Sequence, residues 1–129
     1  MKQLEKLIGP ALEAVEKHLT KERKDAVAKE YDGYAASFGA ALRTSGLLPT
    51  LAFYSDYHKE KNKPRRNHLL QALYEVVKLT NEKVALSNAS RLLEVAVQLS
   101  ASEQKQLERD LLNASIAVKL ALRNFEPLD

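Results

Sequence analysis

The sequence predicts an all-α fold, a compact bundle of about six helices. The chain of 129 residues contains only 4 glycines and 4 prolines, while alanine and leucine are abundant. Apolar side chains recur at intervals of three and four residues, which places them on one face of a helix. Alternating apolar and polar runs, which would indicate strands, are missing. A chain of this length is expected to form one domain, residues 1–129.

The first two helices are predicted on either side of a charged segment. The first ends near Thr20 and has a kink or a restart at Gly9-Pro10, because proline lacks the amide donor. The second begins within the charged run 21–24 and continues to Gly46. Glycine adopts a left-handed conformation without a side-chain penalty, so Gly46 is predicted to cap this helix.

Four more helices follow along the chain. The third is predicted from Leu48-Pro49 to Tyr57 and the fourth over about 64–79, with a polar, basic connection over 58–67 between them. The fifth covers about 88–99. Ser100 and Glu103 have the spacing of a capping box, which predicts the start of the sixth helix, about 101–124.

Composition and motifs exclude most catalytic chemistry. The chain has no cysteine, so disulfides, thiolate metal sites and cysteine nucleophiles are excluded. His18, His58 and His68 each lack a second histidine at the i+3 or i+4 spacing of a helical metal site such as His-Glu-x-x-His. Phosphate-binding glycine loops and nucleophile elbows are also missing. The sequence therefore predicts no metal, no cofactor and no enzymatic activity. The alternative is a small helical enzyme with a site assembled from His18, Glu108 and Asp110.

Aromatic side chains are grouped in two predicted helices. Their helical spacing favours core packing, with tyrosine hydroxyls at the edge, over a base-stacking platform for single-stranded nucleic acid. Tyr57, beside the basic connection, is the position where stacking stays open. The set comprises Tyr31, Tyr34, Phe38, Phe53, Tyr54 and Tyr57.

Positive charge is concentrated in one short segment. The net charge is +3, yet residues 59–66 hold five cations and one carboxylate, so the rest of the chain is slightly acidic. Several cations on one connection favour binding to phosphates independently of base sequence. The alternative is a solvated loop that improves solubility. The candidate RNA-binding residues are Arg43, Lys59, Lys61, Lys63, Arg65, Arg66, Lys119 and Arg123.

Two segments resemble a known family. Residues 34–53, YAASFGAALRTSGLLPTLAF, contain a tyrosine-led helix, a Gly-Leu pair and a following Leu-Ala-Phe. They resemble the signature of the small α-helical subunit of type III-B (Cmr-type) CRISPR–Cas effector complexes. Residues 112–125 are similar to the last helix of that family. The chain departs from the family in lacking a proline before the Gly-Leu pair and a tryptophan in the last helix.

The resemblance implies a non-catalytic subunit. Copies are expected to stack as the inner filament of an antiviral effector, along the guide RNA and its target RNA. They would contact the backbone subunits and the large signalling subunit. The expected location is the cytoplasm, with no membrane partner. A type III-A small subunit and a helical protein–protein adaptor are the alternatives.

Overall fold

The computed structural model describes residues 2–55 and 65–128, with the side chains from residue 3 onward. Six α-helices in these ranges confirm the prediction of a compact, mostly helical bundle. The elements are α1 (Lys2–Leu19), β1 (Ala26–Ala28), α2 (Glu30–Ser45), α3 (Leu47–Tyr54), α4 (Arg66–Val77), a 3₁₀ turn (Ala89–Arg91), α5 (Leu92–Gln98), α6 (Ala101–Leu122) and β2 (Glu126–Leu128).

The core lies where α1, α4 and α6 meet. Helix α1 packs against both α4 and α6, α2 packs against α6, and α3 packs against α2 and α5. Fully buried aliphatic side chains such as Val15, Leu73 and Leu107 fill the centre. Burial of each such side chain contributes about 1.5–3 kcal/mol to the free energy of unfolding. The periodic apolar faces predicted from the sequence therefore point into this core.

A two-stranded parallel sheet contradicts the prediction that the chain has no strands. Ala26 pairs with Glu126, and Ala28 pairs with Leu128. The second helix consequently begins at Glu30 and not within residues 21–24. Three residues are too few to show an alternating pattern, and the pairing partner lies near the other end of the chain. Local periodicity therefore carries no signal for this sheet.

The helix boundaries differ from prediction in smaller ways. Helix α1 is continuous through Pro10, so there is no restart at this proline. Gly46 has a φ of 89°, which confirms the positive φ expected at this cap. Helix α3 ends at Tyr54, and Tyr57 lies outside the described residues. Helix α4 begins at Arg66, so the predicted connection was wrong for its last two residues.

The predicted start of the last helix is confirmed in detail. The Ser100 hydroxyl accepts from the Glu103 amide at 3.2 Å, and a Glu103 carboxylate oxygen accepts from the Ser100 amide at 2.9 Å. The fifth predicted helix divides into the 3₁₀ turn and α5, with the Asn88 side chain accepting from the Arg91 amide. Within residues 2–55 and 65–128, no helix combines the length with the apolar character that a membrane crossing requires.

Candidate nucleic-acid interface

The candidate cations divide into separate groups. Lys59, Lys61 and Lys63 lie outside the described residues. Arg65 and Arg66 are half-buried at the start of α4, where Arg65 has extended φ and ψ angles and Arg66 is the first helical residue. The others are on α2 and α6, as described below.

Arg66 is held between two aromatic rings from different helices. Its guanidinium carbon lies 4.6 Å from the ring centroid of Phe53 in α3 and 5.1 Å from that of Tyr34 in α2. Both distances are within the range of cation–π attraction. Phe53 is 57% exposed although it is large and apolar. We call Arg66, Tyr34 and Phe53 the arginine cluster; it places a positioned guanidinium and an accessible ring beside the end of the basic segment.

Most of the other aromatic side chains pack in the core, as predicted. Tyr31, Phe38 and Tyr54 are almost fully buried. Phe38 and Tyr54 make an edge-to-face pair with centroids 4.9 Å apart. The Tyr54 hydroxyl donates to the Tyr34 carbonyl at 3.0 Å, which ties α3 to α2 below the arginine cluster. Among the described rings of the predicted set, Phe53 is the exposed one, which makes it available for stacking.

His68 lies two residues along α4 from Arg66 and contacts Tyr31 of α2. Its Nδ1 is 3.2 Å from the Tyr31 hydroxyl. Burial lowers the pKa of His68, and the charges of Arg65, Lys21 and His18 lower it further. Burial also raises the pKa of Tyr31, which keeps its hydroxyl protonated. Neutral His68 shares a hydrogen bond with Tyr31, in which the imidazole tautomer sets which group donates, and the start of α4 gains a neutral anchor among several cations.

Lys119 and Arg123 lie together at a second position. They border an open cleft of about 550 Å³ between the end of α6, the start of α2 and the small sheet. Lys119 is half-buried and Arg123 is exposed. Within the described part of the chain, no carboxylate lies within ion-pair distance of either cation. The cleft is lined by Val27, Ala28, Lys29, Asp32, Lys119, Leu122, Arg123, Phe125 and Pro127.

The cleft and the arginine cluster are on opposite sides of α2. Asp32 lines the cleft and Tyr34 contacts Arg66, and two residues correspond to about 200° around a helix. Exposed Arg43 is on the same side of α2 as Asp32 but about three turns, or roughly 16 Å, along the helix. The structure therefore does not gather the described candidate cations into one patch.

The three residues of the enzymatic alternative do not converge. Asp110 is buried and accepts from Asn81 and Gln106, both at 2.9 Å. Glu108 is on the other side of α6, where it lines a separate cleft. His18 lies 3.9 Å from a carboxylate of α4, and burial is the largest cause of its lowered pKa. In residues 2–55 and 65–128, no group of three or more metal-ligating side chains is arranged around a common point.

The sequence pattern does not indicate which side chains the candidate cations contact. Tyr34 and Phe53 were assigned to packing, and nothing in their spacing indicates that Arg66 lies over both rings. No motif in the sequence marks Asp32 or Phe125 as part of a site. The cleft depends on the parallel strand pair, so its composition could not be predicted without that pairing.

Two comparisons relate the chain to known proteins. The family model described as "CRISPR-associated protein (Cas_Cmr5)" matches residues 5–121. The fold is similar to the X-ray crystal structure of a CRISPR-associated Cmr5 family protein from Thermus thermophilus. That match has a TM-score of 0.68 and 22% sequence identity, and it covers 92% of this chain and 92% of that chain. No curated protein matches the sequence.

Proposed function

Because the chain belongs to the Cmr5 family, the small subunit of type III-B (Cmr-type) CRISPR effectors, we propose that it is a non-catalytic subunit that contacts RNA. Its basic side chains would bind the phosphates of the guide RNA and the target RNA in antiviral defence. Family membership favours type III-B over the type III-A alternative. Cleavage of RNA would then belong to other subunits.

The arginine cluster is the observation that supports RNA contact. Cation–π contacts with Phe53 and Tyr34 favour one position of the Arg66 guanidinium before any ligand binds. A guanidinium makes charge-assisted, often bidentate, hydrogen bonds to phosphate, and a restricted one loses less entropy on binding. Phe53 also offers an exposed ring on which a base can stack. Phosphate contacts position a protein without reading sequence, which suits an effector whose specificity comes from guide pairing.

The remaining expectations follow from assembly in such a complex. Further copies of the chain, the backbone subunits and the large signalling subunit are the proposed protein partners, in the cytoplasm. Lys59, Lys61 and Lys63 would extend the contact made by Arg66. Arg43 would contact phosphate separately, since it is on the other side of α2.

A helical protein–protein adaptor is the second candidate, and one observation favours it. Leu86 is fully exposed at the turn that follows α4. The buried Tyr74 hydroxyl lies 2.8 Å from the Val84 carbonyl and 2.7 Å from the Ser87 carbonyl, which fixes this turn. A turn that is already fixed can present its apolar side chain to a partner protein with little loss of conformational entropy.

A salt series distinguishes RNA contact by Arg66 from general charge attraction. Each phosphate contact to single-stranded RNA contributes about 0.7 to the slope of log affinity against log salt. Arg66→Gln is expected to lower that slope by about 0.7 in gel shifts from 50 to 200 mM salt. Arg91→Gln is the matched control, because Arg91 is exposed and pairs only with its neighbour Glu94 among described residues. It should leave the slope unchanged.

The same pair of variants should be compared in the assembled complex. Equal slopes for Arg66→Gln and the native protein, with circular dichroism showing intact helices, would remove Arg66 from the RNA contact. Leu86→Ser tests the adaptor. If it releases one protein partner while RNA binding and RNA protection survive both this change and Arg66→Gln, the adaptor is the better description.

A further inference from the structure

The cleft at the end of α6 combines charge with an apolar wall. Lys119 and Arg123 are one turn apart on α6, so both side chains reach the same border of the cleft. Lys29, which is already engaged in another interaction, borders the cleft before α2, and Asp32 is the carboxylate among the lining residues. The cleft therefore attracts an anion while it retains one acceptor for hydrogen-bond donors of the ligand.

The apolar wall is held by backbone pairing. Val27 and Pro127 face each other in the register of the two strands. The Lys29 amide donates to the Leu128 carbonyl at 3.0 Å, and the Glu126 amide donates to the Asp25 carbonyl at 2.8 Å. These bonds extend the pairing at both ends of the three-residue strands. The wall is consequently formed before a ligand arrives.

Phe125 connects the apolar wall to the charged border. It is half-buried, packs against the core and lines the cleft two residues after Arg123. A planar ring of a ligand can therefore contact Phe125 while an attached anion reaches Arg123 or Lys119. The volume of about 550 Å³ is within the usual range of small-ligand sites and leaves room for one nucleotide unit.

We propose that this cleft binds a single unpaired nucleotide of an RNA strand, with the base against Phe125 and the sheet and the phosphate on Lys119 and Arg123. The inference rests on the proposed function, since it deepens RNA contact from phosphate attraction to a defined nucleotide site. A nucleotide unit carries an anion, a flat ring and N–H or O–H donors together. Asp32 accepts from such donors.

An acidic protein segment fits the cleft less well. Its carboxylates would be drawn to the same cations, but Asp32 would repel them and the apolar wall would face no planar group. Two cations without a carboxylate partner among the described residues, one carboxylate and an aromatic ring favour the nucleotide. The acidic segment is therefore an outcome of the test.

The test is a titration of the isotopically labelled protein, followed by nuclear magnetic resonance. The probes are uridine 5′-monophosphate, inorganic phosphate and hexaglutamate. The uridine nucleotide should shift the amides of residues 25–29 and 122–128 and bind more tightly than phosphate. Arg123→Gln should weaken it about tenfold, the loss of one charge-assisted hydrogen bond to phosphate. The matched control is Arg109→Gln, on the exposed side of α6 outside the cleft, which should change the affinity less than twofold.

Photo-crosslinking supplies an independent readout. A single-stranded RNA with 4-thiouridine is expected to crosslink to the peptide that contains Phe125, and Arg123→Gln should reduce that yield. The proposal is overturned if the uridine nucleotide binds no better than phosphate, if crosslinks form only elsewhere, or if hexaglutamate binds more tightly in an Arg123-dependent manner. The last result would assign the cleft to an acidic protein segment.

Failure of the inference is distinguishable from failure of the proposed function. RNA binding with an Arg66-dependent salt slope, but without nucleotide binding at the cleft, would overturn only the inference. Specific binding of the uridine nucleotide by a protein whose complex contacts no RNA would overturn the proposed function and support the cleft as a nucleotide site.

Discussion

Substitution of Gly39 tests how α2, which separates the arginine cluster from the cleft, packs against α6. Gly39 is buried, and a Cβ atom built there would lie 3.5 Å from the Ser115 hydroxyl and 3.6 Å from a Leu112 methyl. Both distances are ordinary van der Waals contacts. Alanine therefore fits without a shift of either helix.

The expected gain for Gly39→Ala has two parts. Replacing a helical glycine by alanine contributes about 0.5–1 kcal/mol through backbone entropy. Burial of one methyl group contributes up to about 0.8 kcal/mol more. The sum, about 1–2 kcal/mol, corresponds to a rise in melting temperature of about 4–8 °C for a chain of this length.

Gly33→Ala is the matched control. Gly33 is in the same helix, is exposed and would place its Cβ in open space, so this change reports the entropy part alone. Urea unfolding followed by circular dichroism should show both variants more stable than the native protein, with Gly39→Ala at least equal to Gly33→Ala. Gly39→Leu should reverse the sign, because overpacking costs about 1–3 kcal/mol. A destabilised Gly39→Ala beside a stabilised Gly33→Ala would refute the packing argument.

Two further predictions concern buried polar groups. Asn81→Ala removes the donor to one oxygen of buried Asp110. It should therefore lower the free energy of unfolding, measured in urea, by about 2–3 kcal/mol. A decrease of less than about 0.5 kcal/mol would contradict a stabilising role of this hydrogen bond. Burial lowers the pKa of His68 in the folded state. The contribution of neutral His68 to the free energy of unfolding is therefore complete above the unfolded pKa of about 6.5. That contribution is lost as the pH falls through the lower pKa of the folded state. From pH 8 to pH 5, the melting temperature of His68→Gln should fall less than that of the native protein. His18, whose pKa is also lowered, should contribute to the fall that persists in the variant. An equal loss in both proteins would exclude His68 as a source.

Helical periodicity and capping chemistry were sufficient to predict most of the fold. The Ser100–Glu103 box and the positive φ of Gly46 depend on a few adjacent residues, so local sequence determines them. The strand pair depends on contacts between segments about 100 residues apart in the chain. Backbone hydrogen bonds that use no particular side chain leave no pattern to detect, and β1 was therefore missed.

In the candidate site, too, the sequence predicts local features but not contacts between distant segments. The concentration of charge in residues 59–66 was enough to single out Arg66, and Arg123 was a candidate as a further cation. What each cation touches depends on how helices pack, and packing places Phe53 over one and Phe125 beside the other. Helical spacing predicts core packing for Phe53, and nothing in the sequence indicates that Phe125 borders a cleft. Exposure, which only the folded chain defines, separates Phe53 from the buried aromatic residues.

The geometry of α2 determines how the two proposed RNA contacts relate to each other. Tyr34 and Asp32 point about 200° apart around the helix, so the arginine cluster and the cleft face different directions. A short single strand that lies on one face meets only one of them. Both contacts form together only if a strand passes around α2 or if two strands are present, as when a guide and a target RNA run through one complex. Changes at Arg66 and Arg123 should therefore act as independent sites, since residues without shared partners contribute additively.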